Sequence, residues 1–213
     1  NQTAKANREI KYIVIHYTAG SSGVAGAAAN IAAMFANPST GASADFIVDS
    51  GGAVQFNPDI KNRCTWHCGG EVYNNKGGAF YGKCTNTNSI GIEMCSTNRN
   101  WQPTDQANTS KWSFANAVIQ NTIELTKQLM REYDIPAERV IRHYDVTGKL
   151  CPGISGWNAD SGSEAKWQAF KKAIDGQTAT PPTSTAKTTI YRVRKSADDS
   201  KSQLGAFSVF FFF

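Results

Sequence analysis

The sequence predicts an α/β protein, and three observations carry that prediction. Short β-branched and aromatic runs, KYIVIHY at Lys11–Tyr17 and SIGIEMC at Ser89–Cys95, read as buried strands. Between and after them lie longer stretches with helical patterning. Strands and helices alternate along the chain, which favours α/β over all-α or all-β. At 213 residues with 40% hydrophobic side chains, the chain is long enough to bury a core without a disulfide or metal.

In order, Lys11–Tyr17 is the first strand, and the alanine-rich Ala25–Phe35 is a helix stopped by Asn37-Pro38. Asp45–Asp49 and Ala53–Phe56 flank Ser50-Gly51-Gly52 as a β-hairpin. Gly69–Asn88 has no periodicity; a loop that long in a compact domain is usually functional or mobile. Ser89–Cys95 is the next strand, with Ser89, Gly91, Glu93 and Cys95 on one face. Trp112–Tyr133 is a long amphipathic helix, Val140-Ile141 a short strand, and Glu164–Ile174 a closing helix. Residues 176–189, GQTATPPTSTAKTT, hold ten Thr, Ser, Pro or Gly in fourteen positions and read as a linker. The expected organisation is therefore a main domain at 1–175, a linker at 176–189, and the truncated start of a second module at 190–213.

Net charge is +5, but residues 176–213 contribute a surplus of three, leaving the first 175 residues at only +2. That is no footprint for nucleic acid. No apolar stretch approaches the ~18 residues of a membrane helix, and no signal peptide is visible. No membrane insertion, no nucleic acid and a monomer are the expectations. Five cysteines are an odd number and do not form paired C-x-x-C zinc motifs; pairing among Cys64, Cys68, Cys84 and Cys95 stays open.

Of three histidines, His16 ends the first strand and His143 follows the Val140–Arg142 strand, with Cys151 eight residues on. Strand ends present ligands to a cleft. Two imidazoles and one thiolate suit zinc with a fourth position open, the catalytic pattern. By spacing alone, pocket histidines satisfied by hydrogen bonds and an unrelated buried cysteine are the commoner outcome.

Four blocks in order bear on that choice: IVIHYTAG (Ile13–Gly20), WHCGG (Trp66–Gly70), NSIGIEMC (Asn88–Cys95) and RHYDVTGKLCPG (Arg142–Gly153). Together they resemble the zinc-dependent N-acetylmuramoyl-L-alanine amidases of the phage lysozyme and peptidoglycan-recognition-protein superfamily, over roughly residues 8–175. The resemblance implies a mixed central sheet flanked by helices and a shallow groove over one zinc ion. It also implies cleavage of the bond between muramic acid and the L-alanine of the stem peptide. It makes His16, His143 and Cys151 the zinc ligands, and zinc chemistry suits an unactivated amide. Glu93 becomes the general base and Lys149 a donor to the developing oxyanion. His67 and Trp66 become substrate-contacting residues, with Tyr73, Phe80 and Tyr81 as further candidates for the groove.

One departure is Ala44, where some phage relatives carry a tyrosine, so the glutamate is the expected base. The segment Tyr191–Phe207 resembles the opening of wall-binding repeats that follow clostridial amidase domains. Bacterial peptidoglycan is the implied partner and the cell wall the place of action. The protein would get there as a phage endolysin released from host cytoplasm, or as an autolysin exported with a leader absent here. A muropeptide-recognition protein that does not cut is the alternative from another class, and it is disfavoured by the presence of Cys151, Glu93 and both histidines.

Overall fold

The computed structural model describes residues 1–20 and 22–176 and, beyond them, the backbone of two strands at 188–194 and 203–210. Its centre is a mixed sheet of five strands in the order β7-β2-β6-β3-β4, formed by Val140–Arg142, Tyr12–Tyr17, Ser89–Met94, Phe46–Asp49 and Gly52–Gln55. β2 pairs in parallel with β6 and β7, β3 in parallel with β6, and β3 antiparallel with β4 through the expected hairpin. Beyond β4 the sheet continues with the paired backbones of β9 (Gln203–Phe210) and β8 (Thr188–Arg194). Residues 177–187, most of the expected linker, lie outside the described residues. A separate two-stranded pair joins β1 (Gln2–Ala4) to β5 (Arg63–Thr65).

Strand alternation divides the side chains between two layers. On one face Ile13, Ile15, Ile90, Ile92, Phe46 and Val48 pack against α2 (Asn116–Tyr133) and α4 (Ala165–Asp175). On the other, Ile47 and Val54 pack under α1 (Ala27–Ala36) through Ala28, Ala32 and Phe35. Val14 and Ile141 pack farther along that face with Val146, Cys68 and Cys84. His16 follows Val14 by two positions and Glu93 follows Gly91 by two, so both emerge on this second face.

Three features depart from the sequence reading. α2 starts at Asn116 instead of Trp112, because Trp112 is a core residue whose indole N–H donates to the Gln106 carbonyl at 2.9 Å. β1 and β5 are short strands with no periodicity to announce them. RHYDVTGKL contains a short helix, α3 (His143–Thr147), where only a strand and a loop were expected.

That helix is held by a buried arginine. Arg142 Nε and Nη2 grip Asp145 at 2.9 and 2.6 Å, and Nη1 reaches Glu164 at 2.5 Å and the Trp157 carbonyl at 2.7 Å. The Asp145 carboxylate also accepts the Arg142 N–H at 2.8 Å, closing a box at the helix start. Arg142→Ala strips the half-buried Asp145 and Glu164 carboxylates of their shared counter-charge. We expect a loss of roughly 3 kcal/mol, read as a fall in the urea midpoint.

Loop 69–88 forms no helix or strand but closes over α3: Tyr73 N–H donates to Thr147 O at 2.8 Å and Phe80 N–H to Asp145 O at 2.8 Å. All five cysteines are buried free thiols, and those of Cys68 and Cys84 hydrogen-bond each other. Among the described residues no helix is long and apolar enough to cross a membrane.

Candidate metal centre

The second face of the sheet ends, on the C-terminal side of β2 and β6, in a cavity of about 260 Å³. His16, Trp66, His67, Glu93, His143, Lys149 and Cys151 all line it. These seven residues, selected from four separate sequence blocks, thus reach one space. β2 delivers His16 and β6 delivers Glu93, directly opposite it in register. The Arg142 clamp fixes the start of α3, where His143 sits. Gly148, at φ 82°, ends α3 in a left-handed turn and sends the chain back towards Lys149 and Cys151. A side chain at Gly148 would also meet Asn75, so this turn suits glycine on two counts.

One donor atom each from His16, His143 and Cys151 lies within 4.8 Å of the others. His16 Nδ1 is 3.6 Å from Cys151 Sγ. His143 hydrogen-bonds the Gly69 backbone, while its Nε2 is buried without any protein partner. The Tyr17 backbone bonds the Cys151 sulfur. Burial, then the neighbouring His143 and His67, holds His16 well below the usual histidine range. Burial, then Lys149, takes His143 down to about 3. Burial and the Glu93 carboxylate push Cys151 up to about 12. Neutral imidazoles, one with a bare buried nitrogen, beside a sulfur already bonded by a backbone amide make a donor set that fits a zinc-type cation.

Glu93 Oε2 is also buried without a partner. Burial raises this carboxyl to about 7 against the pull of Lys149 and His67. A carboxyl balanced near neutrality can both accept and return a proton. Lys149 is exposed at the cavity edge, and its charge is felt at His16, Glu93, His143 and Cys151. Trp66 is 39% exposed, with its indole N–H fixed to Thr3 Oγ1 at 2.8 Å. His67 is buried against β6, and a Cβ at Gly91 would stand 2.6 Å from His67 Cγ. Gly91 therefore makes room for the imidazole. Burial opposes a charge on His67, and only an ionised Cys68 thiolate beside it would lift the imidazole above its usual value.

The remaining aromatic candidates lie elsewhere. Phe80 packs edge-on against Tyr12 at 5.9 Å, and Tyr73 and Tyr81 are exposed outside the residues lining this cavity. Ala44 is fully buried in the α1 layer, so position 44 contributes nothing to the cavity wall. Tyr17, Thr18 and Ser43 do line it and were not selected from the sequence. Tyr17 had the one available signal, its place next to His16.

A mixed sheet with His16, His143 and Cys151 gathered at its strand ends defines an α/β protein carrying three side chains that could hold one metal ion. The chain belongs to the N-acetylmuramoyl-L-alanine amidase family, whose sequence pattern matches residues 6–154, well over half of it. It is similar to N-acetylmuramoyl-L-alanine amidase CwlH of Bacillus subtilis (strain 168), 32% identical over 151 residues covering 70% of this chain and 50% of that protein. A probable N-acetylmuramoyl-L-alanine amidase of Bacillus licheniformis is 31% identical over 134 residues, 63% of this chain and 32% of that one. The chain thus spans about a third to a half of the length of these relatives. The solved catalytic domain of XlyA superposes with a TM-score of 0.55 at 29% identity, covering 79% of this chain and 92% of that domain.

Proposed function

We propose that this chain is a zinc-dependent peptidoglycan amidase acting on the bacterial cell wall, as an endolysin or autolysin. It hydrolyses the amide between N-acetylmuramic acid and the L-alanine of the stem peptide. The observation that carries this reading is the meeting of His16, His143 and Cys151 with the unpartnered Glu93 carboxylate over one cavity. Zinc held by the three side chains supplies acidification of water and polarisation of the scissile carbonyl. Glu93 takes the proton from the attacking water and returns it to the leaving amine of L-alanine. The Lys149 ammonium donates to the oxyanion as charge develops there. Trp66 and the His67 ring wall the cavity where substrate rests, and the low-dielectric surroundings of Glu93 strengthen these interactions.

Chelation should abolish lysis of purified walls, and added zinc should restore it. Full activity in a metal-free preparation would contradict the proposal, and binding of muropeptide without cleavage in the zinc-loaded protein would point to a recognition protein.

We also propose that residues 1–175 are the hydrolytic unit, with 176–189 a linker and 190–213 part of a wall-binding module. Trimming at Gly176 should then leave hydrolysis of soluble muropeptide unchanged. A tenfold loss on that substrate would place the boundary elsewhere.

A further inference from the structure

Behind the metal centre runs a chain of buried hydrogen bonds that the catalytic reading does not use. His16 Nε2 lies 3.1 Å from His67 Nδ1, His67 Nε2 lies 3.2 Å from Ser89 Oγ, and Ser89 Oγ lies 2.5 Å from the Thr85 carbonyl. His16, His67 and Ser89 are all buried, Ser89 completely. The direction of each bond follows from the far end. A carbonyl oxygen only accepts, so the single Ser89 hydroxyl proton goes to Thr85. Ser89 Oγ must then accept from His67 Nε2–H, and it has a second lone pair for the Cys68 thiol at 3.6 Å. With Cys68 donating to Ser89 as a neutral thiol, burial keeps His67 neutral; protonated on Nε2 it has a bare Nδ1, which accepts from His16 Nε2–H. What remains on His16 is the Nδ1 lone pair, and that atom faces Cys151.

The His67 ring has little freedom to leave this position. Gly91 seats its face. Asn86 Oδ1 accepts the backbone N–H groups of His67 and Cys68 at 3.1 and 2.9 Å. Asp45 in turn accepts the Gly91 N–H at 2.8 Å, holding that stretch of β6 in place.

We propose that His67 and Ser89 are positioning residues that hold His16 in its Nε2–H tautomer, so that Nδ1 is the atom offered to the metal. The role rests on the reading of His16 as a ligand. It extends His67 beyond a cavity wall, since both of its ring nitrogens are engaged in this chain of bonds. It also explains why a serine begins β6 beside a glycine two residues on: one bonds the imidazole and the other gives it room.

The test is nitrogen-15 NMR of the imidazoles in the metal-free protein, together with zinc titration of the wild type, His67→Phe and Ser89→Ala. Phenylalanine keeps a flat ring over Gly91 and removes both nitrogens. The expected spectrum has the proton on Nε2 in both His16 and His67. Both variants should bind zinc about 10–100-fold more weakly, and His16 should redistribute between tautomers. A purely packing role for His67 would leave the His16 tautomer of His67→Phe unchanged, and that result overturns the proposal. So does a wild-type spectrum with His16 protonated on Nδ1, or with His67 protonated on both nitrogens at neutral pH. The wild-type spectrum decides the matter even if a variant fails to fold. A wild-type protein that binds no zinc would overturn the ligand reading and this role with it; zinc binding with the opposite tautomer would overturn this role alone.

Discussion

Glu93→Gln should cut turnover on wall fragments about 100-fold or more while zinc content stays at the wild-type level. The amide keeps the size of the side chain and removes the basic carboxylate. No ligand is lost, because His16, His143 and Cys151 form the donor set without Glu93. The loss should appear in kcat more than in KM, since the proton moves only as the reaction proceeds. The buried, unpartnered Oε2 gives the substitution its leverage: among the described residues no second carboxylate lines the cavity to take over. Lys149→Ala should also lower turnover with zinc retained, through weaker stabilisation of the oxyanion. Steady-state kinetics beside metal analysis on both variants checks the pair. A Glu93→Gln protein that holds zinc and cuts at near the wild-type rate would remove Glu93 from the mechanism.

Cys151→Ser should act on the other quantity, zinc occupancy. A hydroxyl is a far poorer zinc donor than a thiolate, and the site would fall from three strong donors to two. We expect most of the bound zinc to be lost at micromolar protein, and activity to fall at least as far as in Glu93→Gln. The fold should survive. The layer between the sheet and α2 and α4 includes Ile13, Ile15, Leu125, Leu129 and Trp157 and owes nothing to Cys151. Destabilisation should therefore be limited to the lost linkage with zinc binding. Metal analysis alongside far-ultraviolet circular dichroism separates these effects. An unfolded spectrum would show that the metal supports the whole domain.

The sheet was legible because its strands are written in β-branched residues. Ile13-Val14-Ile15 and Ile90-Gly91-Ile92 occupy two interior positions of the sheet, β2 and β6. Their alternation also correctly put Glu93 on the face opposite Ile90 and Ile92. α3 was not legible. Five residues are too few for a periodic signal, and the helix depends on Arg142 meeting Asp145 and, from a distant segment, Glu164. β1 and β5 are likewise three-residue strands fixed by each other.

At the site, local motifs singled out His16, His143 and Cys151, which the fold brings together, but the links among motifs were not legible. Nothing in WHCGG announces that His67 reaches His16 on one side and Ser89 on the other, because those contacts span 51 and 22 residues. Gly91 was the available hint, since a glycine inside a buried strand marks the close approach of another group.

The most direct test of the central claim is mass spectrometry of the products released from purified peptidoglycan by the zinc-loaded protein. The account predicts stem peptides with a free L-alanine amino terminus, alongside glycan strands whose muramic acid keeps its lactyl carboxyl group. New reducing ends without free L-alanine, or cuts confined to bonds within the peptide, would contradict it.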